Sequence, residues 1–94
     1  MARIVPDTEL QETLQNLPEW TLASGQLELT RKFESFPTAI RFVNQVADLA
    51  EAANHHPDID IRWTTVKLGL MTHSQKALTE KDIALAPKIS SLLS

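Results

Sequence analysis

The stretch from Phe36 to Asn54 constrains this chain more than any other. Ile40, Val43, Ala47 and Ala50 recur at spacings of three and four, and a second stripe of Phe42, Val46, Leu49 and Ala53 widens the same side. That period belongs to an amphipathic helix whose apolar band is broad enough to lie on a sheet and also to meet a partner subunit. Pro37 suits the first helical position, where its fixed φ is preset and its missing N–H is not needed. Asn54 marks the exit, because asparagine tolerates the left-handed conformation that ends helices and Pro57 biases His56 away from helical geometry.

On both sides of this helix the apolar period drops to two. Before it, Trp20, Leu22, Leu27, Leu29 and Phe33 alternate around Ser24-Gly25-Gln26, the pattern of two strands joined by a glycine-containing turn. After it, Ile59, Ile61 and Trp63 alternate with Asp58, Asp60 and Arg62, which predicts a strand with one buried face. Thr64-Thr65 then reverses the chain, and Val66, Leu68 and Leu70 form the apolar set of the returning strand. Lys67, Gly69, Met71 and His73 share its other face, with His73 at or just past the strand's end. A short helix opens the chain, capped by Asp7 or Thr8 and ending near Asn16 to Pro18. Another closes it, where Thr79 and Asp82 form a capping box and Pro87 should force a kink or a restart. Helix, two strands, long helix, two strands, helix implies an α+β fold, a four-stranded antiparallel sheet with helices packed on one face. Residues 1–94 read as a single domain, since a chain of this size buries roughly 60 to 70% of its unfolded surface in one core. Sheet edges left open in so short a chain favour a homodimer over a monomer.

Composition narrows the chemistry. With no cysteine, disulfides, thiolate nucleophiles and cysteine-based metal sites are excluded. A net charge of −3 with interspersed signs lacks the basic footprint of direct nucleic-acid binding. Neither a membrane-length apolar run nor a leader peptide is present, so a soluble, cytoplasmic protein is expected.

All three histidines lie between Glu51 and Asp82. His55 and His56 sit at the helix exit, and the hairpin that follows would bring His73 back beside them. Histidine gives and takes protons near neutrality, so three of them with two carboxylates point to acid-base chemistry. Plainer readings exist for each. A histidine near a helix C-terminus interacts favourably with the dipole, Glu51 is a solvated helix residue, Asp82 is a capping residue, and Trp20 and Trp63 suit a core. A three-histidine zinc site is disfavoured, because adjacent residues point in opposite directions and no His-x-His or His-x-x-x-His spacing occurs.

Glu51-Ala-Ala-Asn54-His55-His56-Pro57, five residues, Trp63, nine residues, His73, eight residues and Asp82 resembles the signature of the pterin-4a-carbinolamine dehydratase family. The likeness extends through Leu78-Thr79-Glu80-Lys81-Asp82-Ile83 and back to Trp20. It implies an enzyme that removes water from a 4a-hydroxytetrahydropterin to give the quinonoid dihydropterin, recycling the cofactor that aromatic amino-acid hydroxylases use. Such a reaction needs neither metal nor cofactor. By the same resemblance His55, His56 and His73 form the acid-base and orienting set, with His55 and His73 transferring protons and His56 orienting substrate. Glu51 and Asp82 would hold a histidine or bind the amino-pyrimidinone edge, and Trp20 would pack near the ring.

Members of this family are α+β sandwiches that form dimers or tetramers. The chain departs from some of them at Asn54, where they carry Asp, and at Pro87 in a helix used for oligomer contacts. The resemblance also carries an alternative, a non-catalytic binding module, because the animal protein serves as dimerisation cofactor of a homeodomain transcription factor and some relatives act as assembly factors. Retention of all three histidines favours the enzyme.

Overall fold

The computed structural model describes residues 1–93. Its elements run α1 (Asp7–Gln15), β1 (Trp20–Ala23), β2 (Gln26–Lys32), α2 (Phe36–Ala53), β3 (Asp58–Arg62), β4 (Thr65–Leu70) and α3 (Glu80–Ser91), the order expected. The strands form one antiparallel sheet in the order β1-β2-β4-β3, so each hairpin supplies one central and one edge strand. Leu27 and Leu29 of β2 and Val66, Leu68 and Leu70 of β4 line one face of the sheet and meet Phe42, Val46, Leu85 and Ile89 from the helices in a continuous core. This is the α+β architecture with the helices on one face.

Local chemistry explains the boundaries. Ser24 and Gly25 both take positive φ, 53° and 76°, as the two-residue turn of a tight hairpin requires, so Gln26 already belongs to β2. Pro6, rather than Asp7 or Thr8, occupies the cap of α1, and no side chain caps that helix. Asp7 and Glu9 instead place negative charge at its positive end. Ser35 caps α2 by accepting from the Thr38 N–H at 3.2 Å, which puts Phe36 first and Pro37 in the turn that needs no amide donors. The buried stripe of α2 is Ala39, Phe42, Val46 and Ala50, with Val43 and Leu49 beside it, whereas Ala47 and Ala53 face outward. The broad band expected is thus centred one residue away from its first stripe.

Three further expectations are corrected. β3 has no buried face. Ile59 and Ile61 pair with Leu68 and Val66 on the helix-covered side, yet they remain 39% and 38% exposed, because the helices cover the central strands and stop short of this edge. Trp63, not Thr65, forms the β3–β4 turn with Thr64; it has φ 54° and is 77% exposed. α3 does not restart at Pro87 but continues as one helix from Glu80 to Ser91, with Leu85, Ala86 and Ile89 on both sides of the proline buried in the same core while the proline itself faces solvent. Among the described residues no helix is long and apolar enough to cross a membrane.

The N-terminal segment lies along the approach to α3. Val5 N–H donates to the Leu78 carbonyl at 3.0 Å and Glu80 N–H to the Arg3 carbonyl at 2.9 Å. Arg3 also forks onto Glu9, with nitrogen-oxygen distances of 3.2 and 2.9 Å. The hydrogen bond from this guanidinium holds the Glu9 carboxyl below its ordinary value. Between the two values the unfolded chain binds the extra proton, so the pair's contribution is complete above the unfolded pKa of about 4.3 and is lost as pH falls through the lowered one. Urea midpoints measured against pH should show that slope in the wild type and less of it in Glu9→Gln.

Asn54 ends α2 in the left-handed region at φ 50°, ψ 44°, as its position implied. Asn54→Ala should lower stability by about 1 kcal/mol, since a Cβ-bearing residue without a local polar group is strained there. Asn54→Gly should not lower it, and urea denaturation distinguishes the two.

Candidate active site

The end of α2 sets the site. Left-handed Asn54 turns the chain back, and the His55 N–H closes the helix on the Ala50 carbonyl at 3.0 Å. The two adjacent histidines then diverge. His55 turns inward and is 8% exposed, while His56 turns out to the last turn of α2 and meets Glu51 Oε2 at 2.6 Å. β4 ends at Leu70, so His73 lies beyond the strand in a turn spanning 73–76 that the Thr72–Ala77 bridge closes. The hairpin does return it to the pair. The three histidines line one cleft of about 250 Å³ together with Met71, Ser74 and Lys81.

Beneath the cleft, Asp82 is fully buried at the start of α3. Its Oδ1 lies 2.5 Å from His55 Nε2, and its Oδ2 accepts from the Thr79 N–H at 2.8 Å and the Thr72 hydroxyl at 2.9 Å. A carboxylate accepts only, so the proton of the imidazole lies on Nε2. His55 Nδ1 has no protein partner, and no buried side-chain nitrogen or oxygen lacks one, so among the described residues Nδ1 is open to the cleft. The arrangement is a carboxylate-histidine dyad. The buried acid selects the tautomer, leaving the other ring nitrogen free to move a proton.

His73 also has an acid, Asp58, with Nε2 and Oδ1 3.7 Å apart and both side chains largely exposed. Each histidine is therefore matched to a different carboxylate. Among the described residues no three metal-ligating side chains converge on a point that would hold an ion.

The residues singled out in the sequence separate into distinct roles. His55, His56 and His73 come together. Asp82 supports them from below, and with both oxygens engaged it is the histidine-holding member of the two alternatives. Glu51 lies beside His56 at the rim. Trp20 is not brought to the cleft: it is buried in the core, where its indole donates to Ser90 Oγ at 2.7 Å. Thr72 and Asp58 were missed. Asp58 could have been found from the hairpin register that sets it opposite Gly69, on the strand leading toward His73. Thr72 sits in a loop with no periodic signal.

The family profile described as pterin 4 alpha carbinolamine dehydratase matches residues 3–92. The chain belongs to the pterin-4a-carbinolamine dehydratase family. Proteins provisionally named pterin-4-alpha-carbinolamine dehydratase from Nocardia farcinica and Roseiflexus castenholzii are each 48% identical to it, over 95% and 99% of this chain and 94% and 100% of theirs. The crystal structure of a transcriptional coactivator/pterin dehydratase from Brucella melitensis superposes with a TM-score of 0.90 at 32% identity, covering 98% of this chain and all of that one. A pterin dehydratase-like protein identified as a RuBisCO assembly factor in the alpha-carboxysome has a TM-score of 0.64 at 24% identity, over 78% of this chain and 84% of that one, a likeness of fold.

Removing the buried acid should be costly. Asp82→Ala leaves two hydrogen-bond donors and an imidazole N–H without their acceptor and should lower stability by about 3 kcal/mol. Glu51→Ala, at an exposed pair, should change it by less than about 1 kcal/mol. Chemical denaturation of both variants checks the contrast.

Proposed function

We propose that this chain dehydrates a 4a-hydroxytetrahydropterin to the quinonoid dihydropterin and water. The observation that carries the reading is the buried Asp82–His55 dyad, with its free Nδ1 directed to a cleft that His56 and His73 also line. Family membership supports it. In the reaction the bond from the ring carbon to its hydroxyl breaks, an adjacent ring nitrogen supplies electrons, and a ring N–H proton is lost. One group must protonate the departing oxygen and another must accept the ring proton, so the sum is loss of water.

His55 is the base in this reading, because Asp82 holds its proton on Nε2 and leaves Nδ1 bare to accept another. His73 is the acid, with Asp58 Oδ1 3.7 Å from its Nε2. His56, held by Glu51, orients the substrate. The carbinolamine would come from an aromatic amino-acid hydroxylase or an enzyme of similar chemistry. The exposed edge strand β3, with Ile59 and Ile61 uncovered, supports a homodimer formed through that edge.

Rapid-mixing absorbance of freshly generated carbinolamine tests the activity against its spontaneous dehydration. Wild type should exceed buffer, and a His55→Ala, His73→Ala double variant should fall back to it. Asp82→Asn keeps an oxygen for Thr79 and Thr72 but offers His55 an N–H, which drives the imidazole proton to Nδ1. That variant should lose about 10²-fold of the catalysed rate while staying folded. A folded wild type no faster than buffer overturns the enzyme, and a pull-down for a protein partner then tests the binding-module alternative.

A further inference from the structure

Two buried hydroxyls, Thr72 and Thr79, lie under the site and take no part in the chemistry above. Proton counting gives their contacts a direction. The single O–H of Thr72 goes to Asp82 Oδ2 at 2.9 Å, because a carboxylate cannot donate. The 2.6 Å contact between the two threonines is then donated by Thr79, whose oxygen in turn accepts the Lys81 N–H at 3.3 Å. The result is a chain from the amide at the start of α3, through Thr79 and Thr72, to Asp82. Every member is buried or at the helix end, so each bond polarises the next in a poorly screened setting.

We propose that Thr72 is a positioning residue that joins the two proton-transferring histidines through one carboxylate. Asp82 Oδ2 is held by donors from two elements, the Thr79 N–H of α3 and the Thr72 hydroxyl of the loop after β4. That leaves Oδ1 for His55 and fixes the plane in which it is offered. The same hydroxyl ties the loop to α3 one residue before His73. His73 itself is exposed and meets Asp58 only at 3.7 Å, so its place follows the backbone that Thr72 anchors. One hydroxyl thus sets the orientation in which Asp82 Oδ1 meets His55 Nε2 and anchors the loop that carries His73. The catalytic part rests on the dehydratase reading; the hydrogen-bond part does not.

Thr72→Val removes the donor at nearly constant shape, Thr72→Ala removes it without crowding should the valine variant fail to fold, and Thr72→Ser restores it. Proton and nitrogen-15 spectra of the imidazoles in the unliganded protein read the His55 Nε2–H hydrogen bond, and rapid-mixing kinetics read the rate. Wild type and Thr72→Ser should share one downfield Nε2–H resonance, with Nδ1 bare when neutral. The valine or alanine variant should keep the proton on Nε2, which the carboxylate still accepts, but shift that resonance and speed its exchange with water, with kcat reduced about tenfold and KM changed less than about twofold, the scale of losing a supporting hydrogen bond. An unchanged Nε2–H resonance and exchange rate in a folded variant without the hydroxyl overturn the proposal, as does a loss of rate that the serine variant shares. If wild type itself does not exceed buffer, the dehydratase reading falls and the nitrogen spectra alone decide the role of Thr72.

Discussion

A carboxylate with no access to water must be fully hydrogen-bonded, and Asp82 is the place where this fold meets that demand. Its partners come from the N-terminus of α3, from the loop after β4 and from the exit of α2. The loop after β4 runs into α3, but the exit of α2 is separated from both by a whole β-hairpin. Satisfying one side chain therefore brings three elements to a common point. The same residue begins a helix and orients an imidazole, so structural and chemical roles need not be weighed as rivals here.

From that point outward the site grades from dry to wet. His55 is buried against its acid, whereas His56 and His73 face water against theirs. The difference matters electrostatically. Attraction between unit charges is strong where water is excluded and weak where it is not, so Asp82 governs its imidazole far more firmly than Glu51 or Asp58 governs theirs. A flat heterocycle entering the cleft would displace water from the exposed pair and meet an inner histidine whose proton is already assigned. On the proposed dehydratase reading, preparation of this kind before substrate arrives would stabilise developing charge without reorganisation.

Element order and most of the core were legible in the chain because periodicity and caps are local properties. Val66, Leu68 and Leu70 are all fully buried, as their alternation implied, and Asn54 takes the left-handed conformation its type permits. What misled was burial at the periphery. Ile59, Ile61 and Trp63 alternate as convincingly as any buried strand, yet β3 is an edge that the helices do not reach. Pro87 does not end its helix, because residues on both sides of it are packed in the core. Trp20, an aromatic the resemblance places near the ring, is a core residue with its indole N–H satisfied by Ser90.

The sequence by itself determined the alternation of helix and hairpin, the stop at Asn54, the capping box of Thr79 with Asp82 and, through the spacing of its histidines and acids, the family. Each depends on residues close enough in the chain to meet by backbone geometry alone, or on identities at fixed gaps. Tertiary structure alone decided which carboxylate serves which histidine. His55 belongs with Asp82, His73 with Asp58, and Thr72 with the acid beneath them, pairings set by where a helix exit, an edge strand and a loop arrive once the core has closed. Side chains far apart in sequence acquire their protonation roles only from that arrival, because distance and exclusion of water, neither of which a linear chain possesses, govern how strongly one charge directs another.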